Sequence, residues 1–174
     1  MRGVFIGRFQ PPHMGHFLAI KWCFENTSIE ELIIVVGSAQ KSHTVKDPFT
    51  AGERIEMLRL GLRELGVDLS RIITIPIPDI AMNHIWVRYL EMLLPRFDIV
   101  FSRNPLVVRL FEEYGYRVVK PPSIKRDVYM ATYIRELMLK SNEDWKKYVP
   151  KSVAEYIVSI EGHKRLLDVA GDDK

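Results

Sequence analysis

Gly7-Arg8-Phe9-Gln10-Pro11-Pro12-His13-Met14-Gly15-His16 joins a short apolar run, residues 3–7, to an amphipathic stretch that begins at residue 15. The run reads as a buried strand. The stretch after it reads as a helix over residues 15–26, with Leu18, Trp22 and Cys23 on one face. Between them, Gly7 permits a tight exit from the strand and Gly15 permits another backbone to come close. A helix that opens here offers free N–H groups to an anion. His13 and His16 are three residues apart, so at a helix start they lie on one side. Two imidazoles, Arg8 and a helix N-terminus at one strand end form a candidate phosphate site. His-x-x-His also suits zinc, but no further histidine or carboxylate cluster joins it, and no metal-ligating residue is assigned.

Working outward, residues 32–36 are continuously apolar, as in a strand covered on both faces. Residues 38–49 form a long polar loop, and Thr50 with Glu53 has the spacing of a capping box. The helix it opens puts Ile55, Leu58, Leu62 and Leu65 on one face and stops at Gly66. Residues 72–77 are a third strand, ended by Pro76 and Pro78, and residues 84–94 are helical. Residues 98–101 are a fourth strand, and Asn104-Pro105 is a cap with proline at the first helical position. That helix ends at Gly115, residues 116–119 are a fifth strand, and helices follow over 130–140 and 150–161. The tail Gly171-Asp172-Asp173-Lys174 is expected to fray.

Strand and helix thus alternate five times, which predicts an α/β fold: a Rossmann-like open parallel sheet with helices on both faces. Ligands of such sheets bind beyond the carboxyl ends of the strands. The chain reads as a single domain, residues 1–174, in which residues from about 125 to 165 form a helical C-terminal part.

Composition narrows the function classes. The chain is 47% hydrophobic and 27% charged, ordinary for a globular domain. A net charge of +3, with basic residues scattered, gives no footprint for nucleic acid. No apolar run approaches the roughly 18 residues of a membrane span, and the apolar part of the N-terminus is too short for a signal peptide. The lone cysteine, Cys23, precludes an intrachain disulfide and reads as a buried small hydrophobe. These features make a cytoplasmic location the expectation.

Three further stretches carry candidate ligands. Gly37-Ser38-Ala39-Gln40 opens the long loop, which also holds Lys46 and Asp47. Asp79, Asn83 and Trp86 follow the third strand. An aromatic plate beside an amide and a carboxylate suits a flat ring with a carboxamide. Met130-Ala131-Thr132-Tyr133-Ile134-Arg135 opens a late amphipathic helix that carries the charge of Arg135.

The Gly7-to-His16 stretch resembles the Gly-x-Phe-x-Pro-x-His-x-Gly-His motif of the nucleotidyltransferase superfamily. Ser38-Ala39-Gln40, Ser42-His43 and the stretch from Asp47 to Arg54 are similar to the archaeal nicotinamide-nucleotide adenylyltransferases. The late stretch resembles the superfamily's second signature at Thr132, Ile134 and Arg135. It departs from it at Met130 and Ala131, where small polar or glycine residues are usual. Lys46 stands where many members have arginine.

The resemblance covers residues from about 2 to about 162. It implies an enzyme that makes NAD and pyrophosphate from nicotinamide mononucleotide (NMN) and ATP, by direct attack of the NMN phosphate on the α-phosphate. It implies His13, His16, Arg8 and Arg135 as catalytic residues. Gly7, Phe9, Gly15, Ser38, Ala39, Gln40, Lys46, Asp79, Asn83, Trp86, Asn104 and Thr132 are implied around the nucleotides, with Asn104 near the adenine and Thr132 as a helix cap or phosphate contact. Mg²⁺ carried by ATP and a homohexamer are implied as well. Two other readings are an adenylyltransferase of this fold for FMN or phosphopantetheine, and a non-catalytic module that binds NAD or nucleotides. An RNA binder related to tRNA synthetases would need a larger body and a basic face.

Overall fold

A computed structural model describes residues 1–171 of the chain. The tail expected to fray lies, beyond Gly171, outside the described residues. The strands are β1 (Arg2–Gly7), β2 (Glu31–Val36), β3 (Ile72–Pro76), β4 (Ile99–Phe101) and β5 (Arg117–Val119). They form one five-stranded sheet in the order β3-β2-β1-β4-β5, and every pairing is parallel. The chain leaves β1 towards β2 and β3, then crosses back to place β4 on the other side of β1. The strand order reverses there, so a crevice opens beyond the carboxyl ends of β1 and β4.

Alternation along the strands fills two cores. Val4, Ile33, Val35 and Val100 point to one face, under α3 (Trp86–Leu93) and α4 (Pro105–Glu113). Phe5, Leu32, Ile34 and Phe101 point to the other, under α1 (Met14–Asn26), α2 (Ala51–Glu64), α5 (Ala131–Leu139), α6 (Lys151–Ser159) and α7 (Gly162–Ala170). Burial on both faces is why residues 32–36 are apolar without a break.

Local signals act as the sequence predicts at several ends. The capping box of α2 is reciprocal: Glu53 N–H donates to Thr50 Oγ1 at 3.1 Å and Thr50 N–H donates to Glu53 Oε1 at 2.8 Å. Asn104 Oδ1 caps α4 by accepting from Leu106 N–H at 2.9 Å. Gly66 (φ 78°) and Gly115 (φ 81°) follow α2 and α4 in the left-handed region.

The structure differs from the sequence reading at α1, after α6 and before α3, among other places. The buried face of α1 runs through Phe17, Ile20 and Cys23, whereas Leu18 and Trp22 are only half-buried. The helix starts at the histidine motif, and 3.6-residue spacing from Phe17 selects that stripe. The chain also makes a seventh helix, α7, absent from the sequence reading. It reverses at Glu161 (φ 56°), a left-handed turn without glycine. Its opening residues, Gly162-His163-Lys164-Arg165, give no apolar period. Finally, a 3₁₀ turn over Asn83–Ile85 precedes α3, which begins only at Trp86. No helix among the described residues is long and apolar enough to cross a membrane.

Candidate active site

Two loops build the floor of the crevice: residues 8–13 after β1, and residues 37–50 after β2. Gln10 is buried, and its amide makes a reciprocal pair with the Phe49 backbone, each bond 2.9 Å. Asp47, 3% exposed, receives the Arg8 guanidinium. Arg54, wholly buried on α2, reaches into both loops. Its Nη1 donates to Arg8 O at 2.8 Å and Gly37 O at 2.7 Å, and its Nη2 to Ser38 O at 3.2 Å. Burial holds the Arg54 pKa below its ordinary value.

His13 is the N-cap of α1, and the two histidines hold one another through the backbone. Gly15 N–H donates to His13 Nδ1 at 3.1 Å, and His13 N–H donates to His16 Nδ1 at 3.1 Å. An Nδ1 that accepts a backbone proton cannot carry one, so both rings are in the Nε2–H tautomer. The ring centroids are 3.8 Å apart, and Phe9 closes the far side of His16 edge-on at 4.8 Å. Burial lowers the His13 pKa to about 4. Burial, and then the neighbouring His13, puts His16 well below its ordinary value. The motif therefore presents two neutral N–H donors in fixed orientation.

Gly7 and Gly15 make room for these rings. A Cβ on Gly7 would lie 2.7 Å from the Phe9 ring, and one on Gly15 would lie 2.9 Å from the His13 ring. The expectation that a second backbone approaches Gly15 is not met; its near neighbours are the side chains of His13 and Tyr129. Phe9, although it borders the cleft, is 1% exposed.

The cleft above this floor has a volume of about 730 Å³. Gly7, Arg8, Phe9, His13, His16, Ser38, Lys46, Asp79, Trp86, Asn104, Thr132 and Arg135 all line it. Gly15 lines a smaller neighbouring cavity of about 270 Å³ that shares His13, His16, Ser102 and Asn104 with the cleft. Ala39, Gln40 and Asn83 do not line the cleft. Ala39 N–H is bonded to Ile77 O at 3.1 Å, and Asn83 is exposed at the 3₁₀ turn before Trp86. Gln40 is bonded to Asp79 instead: its Nε2 donates to Asp79 Oδ2 at 3.1 Å, and its Oε1 accepts from Asp79 N–H at 3.0 Å. Ser38 Oγ donates to the other Asp79 oxygen at 3.1 Å, so this carboxylate stands fixed on the cleft wall. Trp86 meets Phe111 in an edge-to-face contact, with ring centroids 5.6 Å apart, and also lines the cleft.

The far wall is the start of α5. Its N-cap is Met130, with no side-chain cap, so the first-turn N–H groups there stay free for an anion. Thr132 is therefore not the cap. It sits one turn before Arg135, whose Nη2 approaches Thr132 Oγ1 at 3.5 Å. Arg135 Nη1 donates to Gln10 O at 2.8 Å, which ties α5 to the first loop. Burial, then the charge of Arg8, lowers the Arg135 pKa. Arg126, exposed and on the loop before α5, adds a cation to both cavities.

Sequence reasoning missed Arg54, Gln10 and the pairing of Asp47 with Arg8. A signal for Arg54 was present. With Met57, Leu58, Gly61 and Leu62 it completes one buried helical stripe, and a charge on such a stripe has buried acceptors. Gln10 gave no signal, because its partner Phe49 is 39 residues away.

Comparison with known proteins places this geometry. The cytidylyltransferase-like family profile matches residues 4–143. The nicotinamide-nucleotide adenylyltransferase of Saccharolobus solfataricus is 54% identical over 173 residues, 99% of each chain. That of Pyrococcus horikoshii is 51% identical over 170 residues, 98% of this chain and 89% of the other. Among solved structures, a bifunctional NMN adenylyltransferase/ADP-ribose pyrophosphatase of Francisella tularensis, complexed with AMP and a manganese ion, superposes with a TM-score of 0.77 at 22% identity. It matches 96% of this chain, which spans only 52% of the Francisella protein. The nicotinic acid mononucleotide adenylyltransferase of Plasmodium falciparum gives a TM-score of 0.62 at 14% identity, over 94% of this chain and 97% of that one. At those identities the likeness is one of fold.

Proposed function

The chain belongs to the nicotinamide-nucleotide adenylyltransferases, within the cytidylyltransferase-like family, and we propose that the cleft beyond β1 and β4 is where it makes NAD and pyrophosphate from NMN and ATP. The observation that carries the assignment of residues is the histidine pair, two fixed Nε2–H donors at the strand ends.

In this reading an oxygen of the NMN phosphate forms a bond to the α-phosphorus of ATP. The bond from that phosphorus to the oxygen bridging to the β-phosphate breaks, and pyrophosphate leaves with the electron pair. The NMN phosphate is already an anion, so no base is required. His13 and His16 donate to the α-phosphate as its charge grows. Arg135, anchored on Gln10, and Arg8, anchored on Asp47, hold phosphate oxygens together with Lys46 and the free N–H groups of α5. Trp86 stacks on the nicotinamide ring, and Asn104, with Oδ1 committed to its cap, turns its Nδ2 to the adenine side. ATP enters as its magnesium complex, the ion held by the phosphates. A hexameric assembly and a cytoplasmic location belong to the same proposal; the first rests on the resemblance and the second on the lone reduced cysteine.

The test is to incubate the protein with ATP, Mg²⁺ and one acceptor at a time: NMN, nicotinic acid mononucleotide, FMN or phosphopantetheine. Pyrophosphate release with NMN, matched by NAD, is expected. Release with FMN or phosphopantetheine and none with NMN would overturn the reading.

A further inference from the structure

Arg54 is a fully buried cation that does not line the cleft, and the transfer chemistry above does not use it. Its partners are carbonyls in both loops. Two of them, Arg8 O and Gly37 O, belong to the peptides that precede Phe9 (φ 54°) and Ser38 (φ 49°). Neither residue is glycine, and both lie in the left-handed region, which persists only where surroundings enforce it. A third bond, to Ser38 O, fixes the peptide on the other side of Ser38.

The Arg8–Phe9 and Gly37–Ser38 peptides are both trans. In a trans peptide C=O and N–H point in opposite directions. Carbonyls drawn inward to Arg54 therefore turn the N–H groups of Phe9 and Ser38 outward, towards the cleft that both residues line. Neither N–H has an acceptor among the described residues.

We propose that Arg54 is a positioning residue, which clasps the two loops so that the Phe9 and Ser38 N–H groups form a paired donor for one phosphate oxygen of the substrates. The adenylyl-transfer reading is needed only to say which molecule carries that phosphate. Lysine keeps the charge but lacks the planar fork that spans carbonyls of two loops at once.

The test uses the full chain and Arg54→Lys, titrated calorimetrically with inorganic pyrophosphate, ATP and adenosine. A hydrogen bond to a charged group contributes enough that misaligning the pair should weaken pyrophosphate and ATP about 10- to 100-fold. Adenosine, which has no phosphate, should bind within about twofold of wild type, and the Michaelis constants for ATP or NMN should rise. Unchanged pyrophosphate binding would overturn the proposal, and so would a parallel loss of adenosine, since a merely structural defect does not distinguish the two ligands. Where Arg54→Lys does not fold, a crystal structure of the wild type with pyrophosphate decides. An anion oxygen within hydrogen-bond distance of both Phe9 N and Ser38 N is required, and an anion seated elsewhere refutes the pair. Failure of the wild type to release pyrophosphate from ATP and NMN would remove the adenylyl-transfer reading and leave the outcome of these titrations intact.

Discussion

Acid should destabilise this fold through its histidine pair, by an amount that can be worked out for His13. The imidazole has an ordinary pKa of 6.5 and is lowered to about 4 by burial. A depressed histidine pKa means that the unfolded chain binds a proton the native protein refuses. The stabilising contribution is therefore complete above pH 6.5 and is lost as pH falls towards 4. At pH 5 the loss is about 2 kcal/mol, and well below pH 4 it approaches about 3 kcal/mol.

His13→Asn isolates this effect. Asparagine caps helices well, and its Oδ1 replaces Nδ1 as acceptor for Gly15 N–H, but it does not titrate. Unfolding in guanidinium chloride at pH 7 and pH 5 gives the measurement. The wild type should lose about 2 kcal/mol more than His13→Asn between the two, with other acid-sensitive groups cancelling in the difference. Equal losses would refute the assignment of His13 as a buried neutral donor, because a solvated imidazole shows no such linkage.

His16→Ala should lower turnover about 10²- to 10³-fold and change NMN affinity much less, since its contact strengthens as charge grows on phosphorus; single-turnover kinetics with a separate NMN titration check this. Trp86→Ala should raise the Michaelis constant for NMN by about 2- to 10-fold and leave that for ATP nearly unchanged. Because Trp86 also packs on Phe111, the same variant should cost about 3 kcal/mol in denaturant unfolding. Arg135→Lys should impair use of ATP at saturating NMN, since an ammonium cannot hold Gln10 O and a phosphate together as the guanidinium can; an unchanged Michaelis constant and turnover would remove Arg135 from the site.

What the sequence made legible follows a physical division. Several interactions that close within one turn of chain were read correctly, although the cap expected at Thr132 falls on Met130 instead. Thr50 with Glu53, Asn104 with Pro105, and His13 beside His16 all rely on spacings of one to three residues. The parallel sheet was legible because strand and helix alternate along the chain, and residues 32–36, buried on both faces, form an unbroken apolar run. Interactions that join distant loops were not legible. Gln10 meets Phe49, Arg54 meets Arg8, and Arg135 meets Gln10 across 39, 46 and 125 residues. Nothing local in a glutamine or an arginine states where its partner will be. The helix α7 was missed because Glu161 turns the chain without a glycine. Gly162, which follows, is small for a packing reason: a Cβ there would stand 2.5 Å from Phe49.

The distribution of charge in the cleft follows from the work asked of it. NMN and ATP bring several negative charges, and an array of full cations would bind them strongly before any bond changes. Binding substrate and transition state equally well does not raise turnover. Here much of the donor capacity is neutral. His13 and His16 carry no charge, the α5 N–H groups are dipoles, and Arg8 is paired with Asp47. A neutral N–H gains most where charge accumulates, which is on the α-phosphate as the fifth bond forms. The groups around the donors are held by partly buried contacts: Gly15 N–H on His13, Arg8 on Asp47, and Arg135 on the Gln10 carbonyl. The burial that keeps the histidines neutral is therefore the same feature that makes the fold sensitive to acid.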